Sequence, residues 1–174
     1  TAVTRLAALT VAAESHGSTY NRDLFPHWIT ISGACNTREQ VLKRDGTNVV
    51  TDSSCAATSG TWKSPYDGGT WTAASDMDID HIVPLALAWD LGARNWTDDM
   101  RRRFANDPAN LLAVEGQANQ DKGDKEPAVW MPPNTAFRCQ YAIQFIAVLR
   151  GYGLPVDAPS AGVLRQAAST CPTG

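Results

Sequence analysis

The sequence predicts a single α+β domain, and three observations predict it. Helix-period segments stand at both ends, short turn-bounded strand segments gather in the middle, and 174 residues suffice for one good core but not for two ordinary domains. The apolar fraction of 43% and the charged fraction of 19% are those of a soluble globular chain. No apolar run reaches the roughly 18 residues of a membrane-spanning helix, so no membrane association is expected.

Each element has its own signal. Residues 3–15 read as a helix with Val3, Leu6, Leu9 and Ala13 on one side, followed by a polar and aromatic loop that includes Tyr20 to Trp28. Asn36 or Thr37 caps a helix that stops near Asp45 and Gly46. Strands are predicted at 48–51, 55–63 and 70–80, broken by the turn chemistry of Ser64-Pro65-Tyr66-Asp67-Gly68-Gly69. Pro84 opens a helix that runs through Leu91 and ends at Gly92. Thr97 caps the next, with Asp98 and Asp99 in its first turn, and this one runs to Phe104 or Ala105. Asp107-Pro108 marks a turn, Leu111 to Val114 a short buried strand, and 115–122 a short helix. Residues 134–150 and 160–169 complete a helical carboxy-terminal part, with no repeat, low-complexity tract or linker.

Charge and cysteines narrow the function classes. A net charge of −3 argues against a protein that holds nucleic acid by charge alone, though an enzyme needs only a local positive surface and a metal. The four cysteines, Cys35, Cys55, Cys139 and Cys171, include no C-x-x-C pair and no histidine at zinc-finger spacing, so structural zinc is not expected. Disulfides of an exported protein fit better than buried thiols of a cytosolic one. Of the three possible connectivities the expected one is Cys35–Cys55 with Cys139–Cys171, each bridge stabilising by roughly 3 kcal/mol. The amino terminus, Thr1-Ala2-Val3-Thr4-Arg5, has no basic n-region or cleavage site, so a signal peptide is absent or already removed, and the mature, secreted form is expected.

The chemistry concentrates in Asp80-His81-Ile82-Val83-Pro84-Leu85, then Asn110-Leu111-Leu112, then Asn119-Gln120-Asp121-Lys122-Gly123. A neutral histidine can take a proton from water, while a carboxylate beside it and an amide from a following helix can hold a hydrated divalent cation against a phosphate. On a strand Asp76, Asp78 and Asp80 share one face and Met77 and Ile79 the other. A calcium loop of the EF-hand type fails, because His81 stands where its glycine belongs and Leu87 where its glutamate belongs. Asp76 and Asp78 therefore read as a solvated acidic edge and Asp80 as a metal ligand. For His81 the competing reading is a half-buried histidine bonded to backbone. A strand-loop-strand-helix arrangement would bring Asp80, His81, Asn110 and Asn119 to one site.

On these residues the chain resembles the HNH endonucleases of the ββα-metal superfamily, in particular the small secreted bacterial ones. Ala88-Trp89, Gly92-Ala93, Asn119-x-x-Lys122, Tyr20-x-Arg22-x-x-Phe25, Cys35-x-Thr37-Arg38-x-x-Val41-Leu42 and Gly60-x-Trp62-x-Ser64-Pro65-Tyr66-Asp67 extend the likeness over most of residues 20–140. The resemblance implies one nuclease domain over residues 1–174, with its ββα-metal core at 76–123 and flanking helices. It implies that His81 is the general base, that Asn110 braces the loop and orients the histidine, and that Asp80 and Asn119 are metal ligands. With asparagine in place of histidine at the final position, Mg²⁺, Mn²⁺ or Ca²⁺ is favoured over Zn²⁺. Arg22, Arg101, Arg102, Arg103, Lys122 and Lys125 are candidate phosphate contacts, against the reading of a solvated basic face. His16 and His27 read as structural, and Trp62, Trp71, Trp89, Trp96 and Trp130 as core.

The function implied is that of a secreted, monomeric, metal-dependent endonuclease acting on DNA, and possibly RNA, to leave 5′-phosphate ends. It is expected to ignore base sequence, since no helix-turn-helix, zinc finger or second domain is recognisable. Activity is expected to fall below about pH 6.5, where an ordinary imidazole protonates. The alternatives are a non-catalytic nucleic-acid-binding module on the same scaffold and a small-molecule metal phosphodiesterase.

Overall fold

Capping and pairing chemistry sets the element boundaries in the computed structural model, which describes residues 1–172. Helix α1 (Ala2–Ala7) starts at Thr1, whose hydroxyl accepts from the Thr4 amide at 3.2 Å. It stops well short of the expected end at Ser15. The β-branched pair Thr10 and Val11 instead runs alongside Val156, with bonds from Val156 N to Thr10 O (2.9 Å) and from Ala12 N to Val156 O (3.0 Å). A small antiparallel hairpin, β1 (Thr30–Ser32) and β2 (Cys35–Asn36), lies where only a loop was expected. Helix α2 (Thr37–Asp45) begins with the anticipated capping box between Asn36 and Glu39.

Strands β3 (Gly46–Thr51), β4 (Ala57–Lys63) and β5 (Thr70–Trp71) form one antiparallel sheet in that order. The expected strand over 70–80 is two strands in two sheets. After β5 the chain makes a 3-10 turn at Ala74–Asp76 and enters β6 (Met77–His81), which pairs elsewhere. Pro84 precedes α3 (Leu85–Leu91), and Gly92, at φ 135°, ends it. Thr97 caps α4 (Asp98–Ala105) as predicted. Strand β7 (Leu111–Glu115) returns antiparallel to β6, with His81 opposite Leu111 and Met77 opposite Glu115. Helix α5 (Gly116–Lys122) follows at once, and α6 (Arg138–Gly151) and α7 (Ala158–Ser169) complete the α+β architecture.

Period-two alternation puts the β6–β7 hairpin between two apolar clusters. Met77, Ile79, Leu111 and Ala113 face Val41, Leu42 and Trp62. The opposite face carries Asp78, Asp80 and Val114, and Val114 joins the larger cluster built from α3, α4, α6 and α7, with Phe104, Tyr141, Phe145 and Leu164 at its centre. Trp62 and Trp89 are buried, and Trp71, Trp96 and Trp130 pack partly buried against the clusters, as expected. Cys35–Cys55 and Cys139–Cys171 are both bonded, the second tying α6 to the segment after α7. Among the described residues no helix is long and apolar enough to cross a membrane.

Candidate active site

The last two residues of β6 point to opposite faces of the strand and end at one cleft. His81 is 6% exposed, and its Nε2 lies 2.8 Å from the Ala105 carbonyl. A carbonyl can only accept, so Nε2 carries the proton and the neutral ring keeps its lone pair at Nδ1. The Trp28 indole stacks on the imidazole at 5.3 Å between centroids and 5° between planes, and His27 meets it edge-on at 5.9 Å. Burial lowers the His81 pKa to about 3, against the opposing pull of the Ala105 bond and with help from His27, Arg22 and Lys122.

The ordinary value of 6.5, on which the expected activity loss rested, does not hold for this buried ring, which stays neutral well below it. The lowered value also fixes the sign of a stability effect. The folded-state pKa, about 3, lies below the ordinary 6.5, so between the two the unfolded chain binds the extra proton. The contribution of neutral His81 is complete above about pH 6.5 and is lost as pH falls toward 3. Between about pH 7 and about pH 4 the thermal midpoint of wild type is expected to fall more steeply than that of His81→Phe, which keeps a ring on Trp28 without titrating. Parallel slopes would show that His81 carries no such linkage.

Asp80 is 7% exposed. Its Oδ2 accepts from the Tyr66 hydroxyl at 2.5 Å and from Lys122 Nζ at 2.7 Å. Lys122 is fully buried at the end of α5 and also donates to the carbonyls of His81 (2.7 Å) and Ile82 (3.1 Å). Burial pushes the Asp80 carboxyl up and the Lys122 amine down, each opposed by the other's charge. Three acceptors around one nitrogen require three N–H donors, so the pair is carboxylate and ammonium. No described residue donates to Asp80 Oδ1.

Asn119, on α5, donates from Nδ2 to Asp78 Oδ2 at 3.1 Å, which leaves its Oδ1 without a protein partner. Asp78 is half-buried and engaged, correcting the expectation of a solvated edge, whereas Asp76 is exposed as expected. Asn110 is fully buried outside the cleft. Its Oδ1 accepts from Val83 N (2.8 Å), its Nδ2 donates to Val83 O (3.1 Å), and its carbonyl accepts from Ile82 N (2.9 Å). It clamps the turn after His81 and does not line the cleft.

Asp80, His81 and Asn119 line a cleft of about 220 Å³ together with Arg22, Gln120 and Asp124. Two of the other cationic candidates are committed elsewhere. Lys122 has no hydrogen left for a phosphate, and Arg101 is buried, its guanidinium held by the Leu24, Ala93 and Trp96 carbonyls and by Asp98. Burial with all three N–H groups used for Lys122, and burial with four of five N–H groups used for Arg101, overturn the phosphate-contact expectation. Arg102 and Arg103 are exposed on α4, and Lys125 is exposed and bonds the Asp121 carbonyl, but none of the three lines the cleft. His16 is exposed and bonded to Ser15, away from the cleft.

The family described as GmrSD restriction endonucleases, C-terminal domain, matches residues 37–161. The chain belongs to this family. The match spans both strands of the β6–β7 hairpin and α5, and it bears out the HNH nuclease resemblance. An uncharacterized secreted protein of Arthroderma benhamiae is 54% identical over 173 residues, covering 98% of this chain and 85% of the relative. No solved structure matches. Within this GmrSD C-terminal-domain member, sequence reasoning gave no role to Tyr66, Trp28 or Asp124 and read His27 as structural, with no sign that its ring meets His81. Tyr66 stood in a quoted motif that reads as turn chemistry, and only its burial against Asp80 reveals its part.

Proposed function

We propose that the protein is a secreted, divalent-metal-dependent endonuclease that hydrolyses the phosphodiester bonds of DNA, and of RNA as a second substrate, without reading base sequence. One observation carries this reading. Three acceptors without protein partners, Asp80 Oδ1, His81 Nδ1 and Asn119 Oδ1, belong to residues lining one cleft, with the exposed cation Arg22 in its wall. Two hard oxygens suit Mg²⁺, or Mn²⁺ or Ca²⁺, with water and phosphate completing the shell. They do not suit a closed zinc site, which takes four ligands rich in nitrogen and sulfur.

Asp80 and Asn119 would hold the ion, which when bound supplies acidity to a nearby water and offsets phosphate charge. Such help matters here, since a base with a pKa of about 3 is weak toward ordinary water. His81 takes the proton of the attacking water at Nδ1, while Ala105 and Trp28 hold the ring in place. Attack at phosphorus breaks the bond to the 3′ oxygen, which leaves with the bonding pair and takes a proton from solvent, giving 5′-phosphate and 3′-hydroxyl ends. Arg22 pairs with the phosphate, a contact to the backbone that carries no base information. The two disulfides and the secreted relative support export, and the chain acts as a monomer.

Supercoiled plasmid incubated with the protein and Mg²⁺ is expected to be cut, and chelator is expected to abolish the cutting. Plasmid that is retarded on a gel but never cleaved would make the protein a binding module instead. Turnover of bis(p-nitrophenyl) phosphate with intact plasmid would make it a small-molecule phosphodiesterase.

A further inference from the structure

We propose that Asp78 is a positioning residue that sets the amide of Asn119 with its oxygen toward the cleft. The inference rests on the reading of Asn119 as a cation ligand. A primary amide is nearly symmetric in shape, so its oxygen and its nitrogen compete for the same direction, and only the oxygen can face a cation. Packing alone discriminates poorly between the two orientations. A carboxylate does so, because it accepts hydrogen bonds and donates none when ionised.

Asp78 is built to make that choice. It stands two residues before Asp80 on the same face of β6, and its pairing opposite Val114 of β7 fixes its backbone. Helix α5 starts directly after β7 and brings Asn119 back over this face, so that Nδ2 donates to Asp78 Oδ2 at 3.1 Å. With the nitrogen held on the strand side, Oδ1 is turned away from the strand and left for the cleft that Asn119 lines. One strand therefore carries a ligand at Asp80 and, one pleat earlier, the group that orients the second ligand.

A rival account is that Asp78 acts by charge alone, attracting the cation or binding it directly. The two accounts differ in what Asp78→Asn does. Asparagine keeps an oxygen that accepts from Asn119 Nδ2 and loses the charge, whereas Asp78→Ala loses both.

Mn²⁺ binding measured by calorimetry and by electron paramagnetic resonance of the free ion tests this, with metal-free thermal midpoints as the control for folding. Asn119→Ala is expected to weaken binding. Asp78→Ala, and Asp78→Val with its strand-compatible branched side chain, are expected to weaken it by about tenfold or more, as loss of a ligand's hydrogen-bond partner does. Asp78→Asn is expected to stay within about twofold of wild type, and Asp78→Ala added to Asn119→Ala to cost nothing further. Equal losses in Asp78→Asn and Asp78→Ala would overturn the orientation account in favour of charge. Wild-type affinity in the Ala and Val variants, with Asn119→Ala impaired, would overturn the positioning role alone. Unchanged affinity in Asn119→Ala would overturn the ligand assignment and the positioning role together.

Discussion

His81→Ala is expected to lower phosphodiester cleavage by at least about a hundredfold, since general-base contributions are typically 10²–10⁴-fold. Among the described residues His81 is the only histidine that lines the cleft, and its Nε2 is already fixed by a backbone carbonyl, which leaves Nδ1 as the free base. His27, 5.9 Å away between ring centroids, is the nearest substitute, but its Nδ1 bonds the Phe25 carbonyl at 2.6 Å and the ring does not line the cleft. Because the His81 ring is buried under Trp28, the variant is assayed well below its own thermal midpoint. A near-normal rate from a cooperatively folded variant would remove His81 from the mechanism.

Lys122→Ala is expected to destabilise the fold by about 3–5 kcal/mol, the range for removing one partner of a buried ion pair. The substitution strands the Asp80 carboxylate with Tyr66 as its only donor and leaves the carbonyls of His81 and Ile82 without the ammonium. Urea denaturation measures the loss. A lysine that served only to touch phosphate would give the opposite pattern, a stable protein with a raised KM, and that result would refute the buried role. The same residue had looked like a phosphate contact for a physical reason. Its spacing from Asn119 is local and visible in the chain, whereas its three acceptors lie about forty residues away and meet it only in the folded hairpin.

That contrast separates what was legible in the sequence from what was not. The Asp80-His81 strand end, the Asn110 turn and the Asn119 helix could be read because strand period, capping and proline placement act within a few residues. Helix α1 was overextended because apolar periodicity at Leu6 and Leu9 carries no sign that Val11 will pair with Val156. The strand over 70–80 was not divided, since the 3-10 turn at Ala74–Asp76 has neither glycine nor proline to mark it. Hairpin strands of three and two residues are too short to show a period. The His81 pKa depends on burial by Trp28 and by α4, and burial is a tertiary property. Arg101 lost its expected role in the same way, to carbonyls from two other segments.

Adjacent residues on a strand face opposite ways, and in β6 this divides the labour between two packed bodies. Asp80 is fixed by Tyr66 of the larger cluster, and His81 by Trp28, which packs on the smaller one. The cleft is thus a seam. The proposed base and the proposed metal ligand are joined by a single peptide bond, yet each answers to a different set of apolar neighbours. Turnover then becomes a joint readout of both cores, and a chain that leaves the cell with either one poorly packed carries a separated, harmless pair of groups instead of a working nuclease.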